Sequence, residues 1–158
     1  LEGPMGLDAA ATAKNTKCPK YFPSRDNALE QPWTELEQPW TEHVGGQGLR
    51  VFCNPPYGRG VTGKWMAKAE YEARVNDAAV TMLVPARTDT KWWHEIVMQR
   101  AARVIFVKGR LKFHLPGQEK DSATFPSVLV QFTRHGRGTG TVFTSIDAPR
   151  KRRGTSGS

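Results

Sequence analysis

The sequence predicts an α/β domain built on a mostly parallel sheet. Short apolar runs of strand length recur at residues 49–53, 78–84, 103–107 and 127–132, and stretches of helical composition separate the first three. Strand, helix and strand in alternation is the pattern of parallel crossovers. The first run also stops at a pair of prolines, as a strand must where ladder donors vanish and φ is fixed.

Residues 1–5 read as a cloning remnant or the start of the chain, residues 6–146 as one domain and residues 147–158 as a basic, flexible tail. Met5 to Ala11 is either a short strand ending near Asp8 or the start of a helix. Residues 12–29 are polar and turn-rich, and Asp26-Asn27 favours a turn because short polar side chains bond their own backbone. Residues 30–42 repeat Glu-Gln-Pro-Trp-Thr-Glu in tandem, too short a unit for a solenoid. Pro32 and Pro39 forbid one helix through both copies, which leaves Trp33 and Trp40 as candidates for packing.

Residues 62–75 predict a helix with Trp65, Ala69 and Ala73 on one face. Residues 78–84 (AAVTMLV) are a buried-type strand stopped by Pro85. Thr88 or Asp89 is placed to cap a second helix over 90–101, with Trp93, Ile96 and Val97 facing the sheet and one indole of Trp92-Trp93 inward. Residues 103–107 are a third strand, 114–124 a polar loop and 127–132 a fourth strand. A Gly/Arg turn at 134–140 then leads into residues 141–146, expected as an antiparallel return strand.

Of 158 residues 38% are hydrophobic, enough for one core, and no apolar run nears the 18 residues of a membrane span. Cys18 and Cys53 have no metal-ligand spacing and read as reduced intracellular thiols, and four scattered histidines argue against a catalytic metal. The net charge of +8 is uneven: residues 1–50 carry 5 basic and 7 acidic groups, 51–133 carry 12 and 7, and 134–158 carry 6 and 1. A basic body and tail suit a polyanion, because neutralised phosphates release counterions.

Asn54-Pro55-Pro56-Tyr57 presents an amide, backbone carbonyls and an aromatic ring at a strand end, a set suited to holding a planar amino-bearing group. The four residues resemble the motif of amino-group methyltransferases that use S-adenosylmethionine. An exocyclic adenine nitrogen is a poor nucleophile because its lone pair is delocalised into the ring. Acceptors at Asn54 Oδ1 and the Pro55 carbonyl, aimed at its hydrogens, draw it toward tetrahedral geometry, and proline rigidity at 55 and 56 holds them without reorganisation. Tyr57 is suited to stack on a base, an interaction of ~1–3 kcal/mol. A base inside a duplex reaches such a pocket only when flipped out.

Further matches follow in order: LDAAATAKNTKCPKYF, RDNAL, VFCNPPYG, KWMAKA, MLVPARTDTKWWHE, VIFVKGRLKF and FPSVLVQF. Over residues 6–146 the chain resembles the phage-type Dam family of DNA N6-adenine methyltransferases. The resemblance implies a Rossmann-like methyltransferase sheet, S-adenosylmethionine as methyl donor, double-stranded DNA as partner, a cytoplasmic location in a bacterium or phage-infected cell, and a monomer by default. Asp8 and Ala9 fall at the family's first cofactor-site strand end, where Asp8 is either a ligand to the methionine part or ribose, or a turn residue. Asp26 and Asn27 fall where an acidic residue meets the cofactor's adenine amino group, or form a simple turn. Phe52 or Cys53 lines the cofactor pocket or is an ordinary buried strand residue, and Asn54 counts for both cofactor and base. Arg59, Arg87, Lys91, Lys108, Arg110 and Lys112 lie on loops or strand ends near the implied cleft and are candidates for DNA contact, Arg87 and Arg110 foremost, or are solvated surface charges.

Family members carry an upstream segment that closes over the cofactor, and this chain begins almost at LDAAA, so the N-terminal part of the fold is expected to be abbreviated. Two other readings stand beside DNA methylation: a methyltransferase acting on RNA or a protein glutamine, and a methyl-inactive DNA-binding remnant.

Overall fold

The computed structural model describes residues 7–8, 20–21, 29–30, 32–33, 49–113, 121–122 and 125–149. Strands β1 (Leu7–Asp8), β2 (Lys20–Tyr21), β3 (Arg50–Cys53) and β4 (Ala79–Pro85) are followed by β5 (Arg103–Lys108), β6 (Lys112–Phe113), β7 (Asp121–Ser122), β8 (Ser127–Phe132) and β9 (Val142–Asp147). Seven of them form one sheet in the order β2-β1-β3-β4-β8-β5-β9, and β6 with β7 forms a separate two-stranded arm. Helix α1 (Thr62–Asn76) joins β3 to β4. A π-helical stretch (Trp93–Val97) running into α2 (Met98–Arg100) joins β4 to β5.

The expectation of a mostly parallel α/β sheet holds. Neighbours β2-β1-β3-β4 are parallel, and so are β5 and β9. One expectation is corrected. The reversed strand is β8, antiparallel to both β4 and β5, and the last strand pairs in parallel with β5. The short 134–140 turn does reverse the chain, with Gly136 and Gly138 in the left-handed region at φ 59° and 54°. It reverses it relative to β8, which already runs backwards, so β9 regains the common direction and finds the open side of β5. Burial explains the placement. Every β8 residue but Gln131 is buried, as a strand covered on both faces requires, whereas all six β9 residues are exposed at the sheet edge.

The residues 62–75 helix forms as expected, burying Trp65, Met66, Ala69 and Ala73 against β4 and β8. It stops at Asp77, which takes the left-handed conformation (φ 57°) that aspartate tolerates at a helix end. The stretch expected to be a helix over 90–101 contains the π-helical segment, with Trp93 and Val97 buried and Ile96 half-buried. Trp92 stays half-buried, edge-on to Trp93 at 5.9 Å. Trp33 is fully buried, and Trp40 lies outside the described residues. Leu7–Asp8 forms a strand, which decides between the two readings of residues 5–11. Two local expectations are corrected. Asp121–Ser122 pairs with Lys112–Phe113 inside a segment read as an unstructured polar loop, and Lys20–Tyr21 forms a strand in a stretch read as turns.

Among the described residues one charged group lies in this core. Glu72 is fully buried on α1, its Oε1 2.5 Å from Lys68 Nζ and its Oε2 accepting from Asn76 Nδ2 at 2.8 Å. Removing one partner of a buried pair leaves an uncompensated charge, costing about 3–5 kcal/mol, while replacing both is often neutral. Lys68→Met is therefore expected to lower unfolding free energy in urea by that amount. Lys68→Met with Glu72→Leu is expected to return it to the parent value or above.

Candidate active site

In the sheet order β2-β1-β3 the chain leaves β1 toward one side and returns on the other, so the carboxyl ends of β1 and β3 mark a topological switch point. Open α/β sheets bind ligands at such switch points. Register fixes what stands there. Asp8 is level with Phe52 of β3, two residues before Asn54, and Cys53 is level with Met82 of β4. Asp8 thus ends its strand beside the Asn54–Tyr57 loop. Cys53 is fully buried and Phe52 half-buried on β3, and three further candidates, Ala9, Asp26 and Asn27, lie outside the described residues.

The loop is pinned by its own tyrosine. The single hydrogen of Tyr57 Oη is shared between two acceptors, Asn54 Oδ1 and the Leu83 carbonyl 3.0 Å away, so the loop after β3 is tied to the backbone of β4. Pro55 is buried, and among the described residues no donor is bonded to its carbonyl. Two further contacts tie the loop to α1: Val61 N–H donates to the Gly58 carbonyl at 3.2 Å, and Gly58 N–H donates to Thr62 Oγ1 at 3.4 Å. Burial, with a smaller contribution from neighbouring Cys53, pushes the Tyr57 phenol well above its usual pKa. The neutral hydroxyl is therefore the state that holds the loop.

A residue that sequence reasoning passed over completes the wall. Phe125 meets the Tyr57 ring edge-on at 5.3 Å and 88°, and the Arg87 guanidinium lies over the Phe125 ring at 5.9 Å. Ala86 N–H donates to the Pro126 carbonyl at 2.9 Å, so the loop after β4 and the entry to β8 are joined. Reversal of β8 puts its first residues, rather than its last, at the carboxyl edge. The signal was an aromatic before Pro126, readable only with that direction known.

The candidate DNA-contact residues divide. Arg87 is brought to the motif through Phe125, and Arg59 is exposed two residues beyond Tyr57. Lys108 ends β5, Arg110 follows Gly109 (φ 91°), and Lys112 stands on the β6–β7 arm. Of these, Lys108 ends a strand that β8 separates from β4, about 10 Å away at two strand spacings. Lys91 is a solvated partner of Glu95 at 3.7 Å, which matches the surface-charge reading. A shallow cleft lined by Arg74, Arg100, Arg134 and His135 lies at the opposite edge of the sheet and takes no part in this arrangement. The described residues contain no group of three or more His, Cys, Asp or Glu side chains placed to hold a metal. None of their helices is long and apolar enough to cross a membrane.

An acceptor-bearing, aromatic loop at a switch point is an arrangement suited to holding a small polar group beyond the strand ends. Comparison with known proteins narrows this. The family profile described as DNA N-6-adenine-methyltransferase (Dam) matches residues 2–155. A DNA N-6-adenine-methyltransferase of Escherichia phage T1 is 31% identical over 122 residues, 75% of this chain and 44% of that protein. The chain belongs to the DNA N-6-adenine-methyltransferase (Dam) family, and it spans less than half the length of this relative.

The tyrosine pKa has a testable consequence. A phenol whose folded pKa is raised contributes stability that is fully present below the ordinary value of about 10 and lost as pH climbs above it. Unfolding free energy is expected to fall above pH about 10 in the parent. In Tyr57→Phe that component should vanish, and stability at neutral pH should drop by about 1 kcal/mol for the lost hydroxyl bonds.

Proposed function

We propose that this chain is the catalytic domain of an S-adenosylmethionine-dependent DNA adenine-N6 methyltransferase, built on a Rossmann-like methyltransferase sheet. The observation that carries the reading is the Asn54–Tyr57 loop, braced on β4 at the β1/β3 switch point of a member of the Dam family. The phage T1 relative, named for this activity, supports the same acceptor. Sheet order supports the fold reading, with one reversed strand near one side and a switch point near the other.

The residues present fit the cofactor. Asp8 at the end of β1 and Asn54 beyond β3 flank the switch point and are the described residues that would hold it. Ala9, Asp26 and Asn27 are proposed to complete the site. Bound S-adenosylmethionine supplies a methyl group made electrophilic by the sulfonium it sits on.

The chain's own part is to prepare the nucleophile. Asn54 Oδ1 keeps a second lone pair beside the Tyr57 hydrogen bond, and the Pro55 carbonyl has no described donor. The two acceptors take the hydrogens of the adenine amino group and free its lone pair toward the donor. Fixed acceptors of this kind stabilise charge as it develops, because they need no reorganisation. The Tyr57 ring, held edge-on by Phe125, forms the apolar wall against which a flipped base is held. Arg87, Arg59 and Arg110 receive the phosphates around the extruded nucleotide, while Lys108 and Lys112 extend the basic rim. No metal is needed, since the acceptors and the positioning supply the catalysis.

The test is methyl transfer from labelled S-adenosylmethionine to duplex DNA, RNA and a glutamine-containing protein in parallel. Label is expected in DNA alone, as N6-methyladenine, and Asn54→Ala is expected to lower kcat by at least ~100-fold, the scale of losing one preorganised polar group. Label in RNA or protein instead would overturn the DNA acceptor. Full activity in Asn54→Ala would overturn the role of the loop.

A further inference from the structure

The far edge of the sheet, remote from the β1/β3 switch point, carries a feature the methyl-transfer reading leaves unused. Among the described residues Val142, Phe143 and Ile146 of β9 are 48%, 49% and 47% exposed, and Phe106 of β5 is 38% exposed. Parallel register puts Val142, Thr144 and Ile146 on one face, and Phe143, Ser145 and Asp147 on the other, where Phe143 stacks on Phe106 at 6.2 Å and 14°. The strand is apolar on both faces. It has no proline, lysine or bulge, the devices that natural sheets use to blunt an edge.

Its outer hydrogen-bonding groups are open. Val142 N–H donates to the Ala102 carbonyl and Ala148 N–H to the Lys108 carbonyl, so even-numbered residues face β5. The N–H and C=O of Phe143, Ser145 and Asp147 face outward.

We propose that this edge pairs with β9 of a second copy of the chain, antiparallel, about a two-fold axis through Thr144. Three features select this occupant and register. Residues opposite one another then sum to the same number, which sets Val142 against the partner's Ile146 and Ile146 against the partner's Val142. Thr144 meets the partner's Thr144. Apolar and Thr–Thr cross-strand pairs are the favourable ones. On the other face Phe143 lies opposite the partner's Ser145, a small residue that leaves room for the ring, and these two exchange the outward N–H···O bonds.

Charge agrees with antiparallel pairing. Asp147, the one charged residue of β9, lies in this register opposite the partner's Thr141, away from the partner's Asp147. A parallel pair would set the two Asp147 carboxylates side by side, and like charges directly opposite are destabilising. One strand edge buries less than the ~800 Å² per partner of a standard interface, so the dimer is weak and reversible. The interface is remote from the methyl-transfer site, and the inference does not depend on the proposed reaction.

Sedimentation velocity of the full chain from micromolar to millimolar concentration tests the proposal. The weight-average mass is expected to climb from the 17.6 kDa of one chain toward twice that value. Ser145→Pro removes an outward donor and leaves the β5 ladder intact, so it should hold the chain as monomer with an unchanged circular dichroism spectrum. Should that variant fail to fold, Thr144→Lys and Thr144→Glu decide the matter: each alone is expected to stay monomeric, and their mixture to dimerise. A parent chain that remains monomeric throughout would overturn the proposal and leave the edge to another partner. So would dimerisation of Thr144→Lys alone.

Discussion

The site depends on one hydrogen-bonded hydroxyl. Tyr57 Oη joins Asn54 and the Leu83 carbonyl, so a loop that leaves β3 is held by the backbone of β4 rather than by its own chain alone. Two prolines limit what the loop can do, and the tyrosine selects one of the conformations that remain. Burial raises the pKa of that phenol, so the neutral hydroxyl is the form that braces the loop. Without it the Pro55 carbonyl and the Asn54 amide would be separate flexible acceptors. With it they form a fixed pair beyond the β1/β3 switch point.

Reversal of β8 builds the rest of the wall. An antiparallel strand between β4 and β5 delivers Phe125 and Pro126 to the carboxyl edge, where a parallel strand would have delivered its last residues. Phe125 then supports Tyr57 on one side and carries Arg87 on the other. The same reversal sends the chain to the amino edge, so that β9 returns parallel to β5 and leaves its outer edge open. Site and dimerising edge are consequences of a single strand direction.

The local elements were legible because their signals are local. Helix α1, the strand at 127–132 and the inward Trp93 and Val97 follow from periodicity, and the loop follows from consecutive prolines after an apolar run. Strand order and direction were not, since both depend on pairings between residues far apart in sequence. The 134–140 turn was correctly read as a reversal, but reversal relative to what could not be known. Phe125 was missed for the same reason. The two-residue strand β2 is too short to carry a period, and the π-helical stretch leaves apolar spacing almost unchanged. Of the cofactor candidates Ala9, Asp26 and Asn27 lie outside the described residues, and register brings the strand ends that carry Asp8 and Asn54 together.

The braced loop and the end of β1 are proposed to form one cofactor site. Calorimetric titration of the chain with S-adenosylmethionine tests it most directly. Micromolar binding is expected, lost in Asp8→Ala and kept in Arg87→Ala. Absence of binding by the parent chain, or binding untouched by Asp8→Ala, would contradict it.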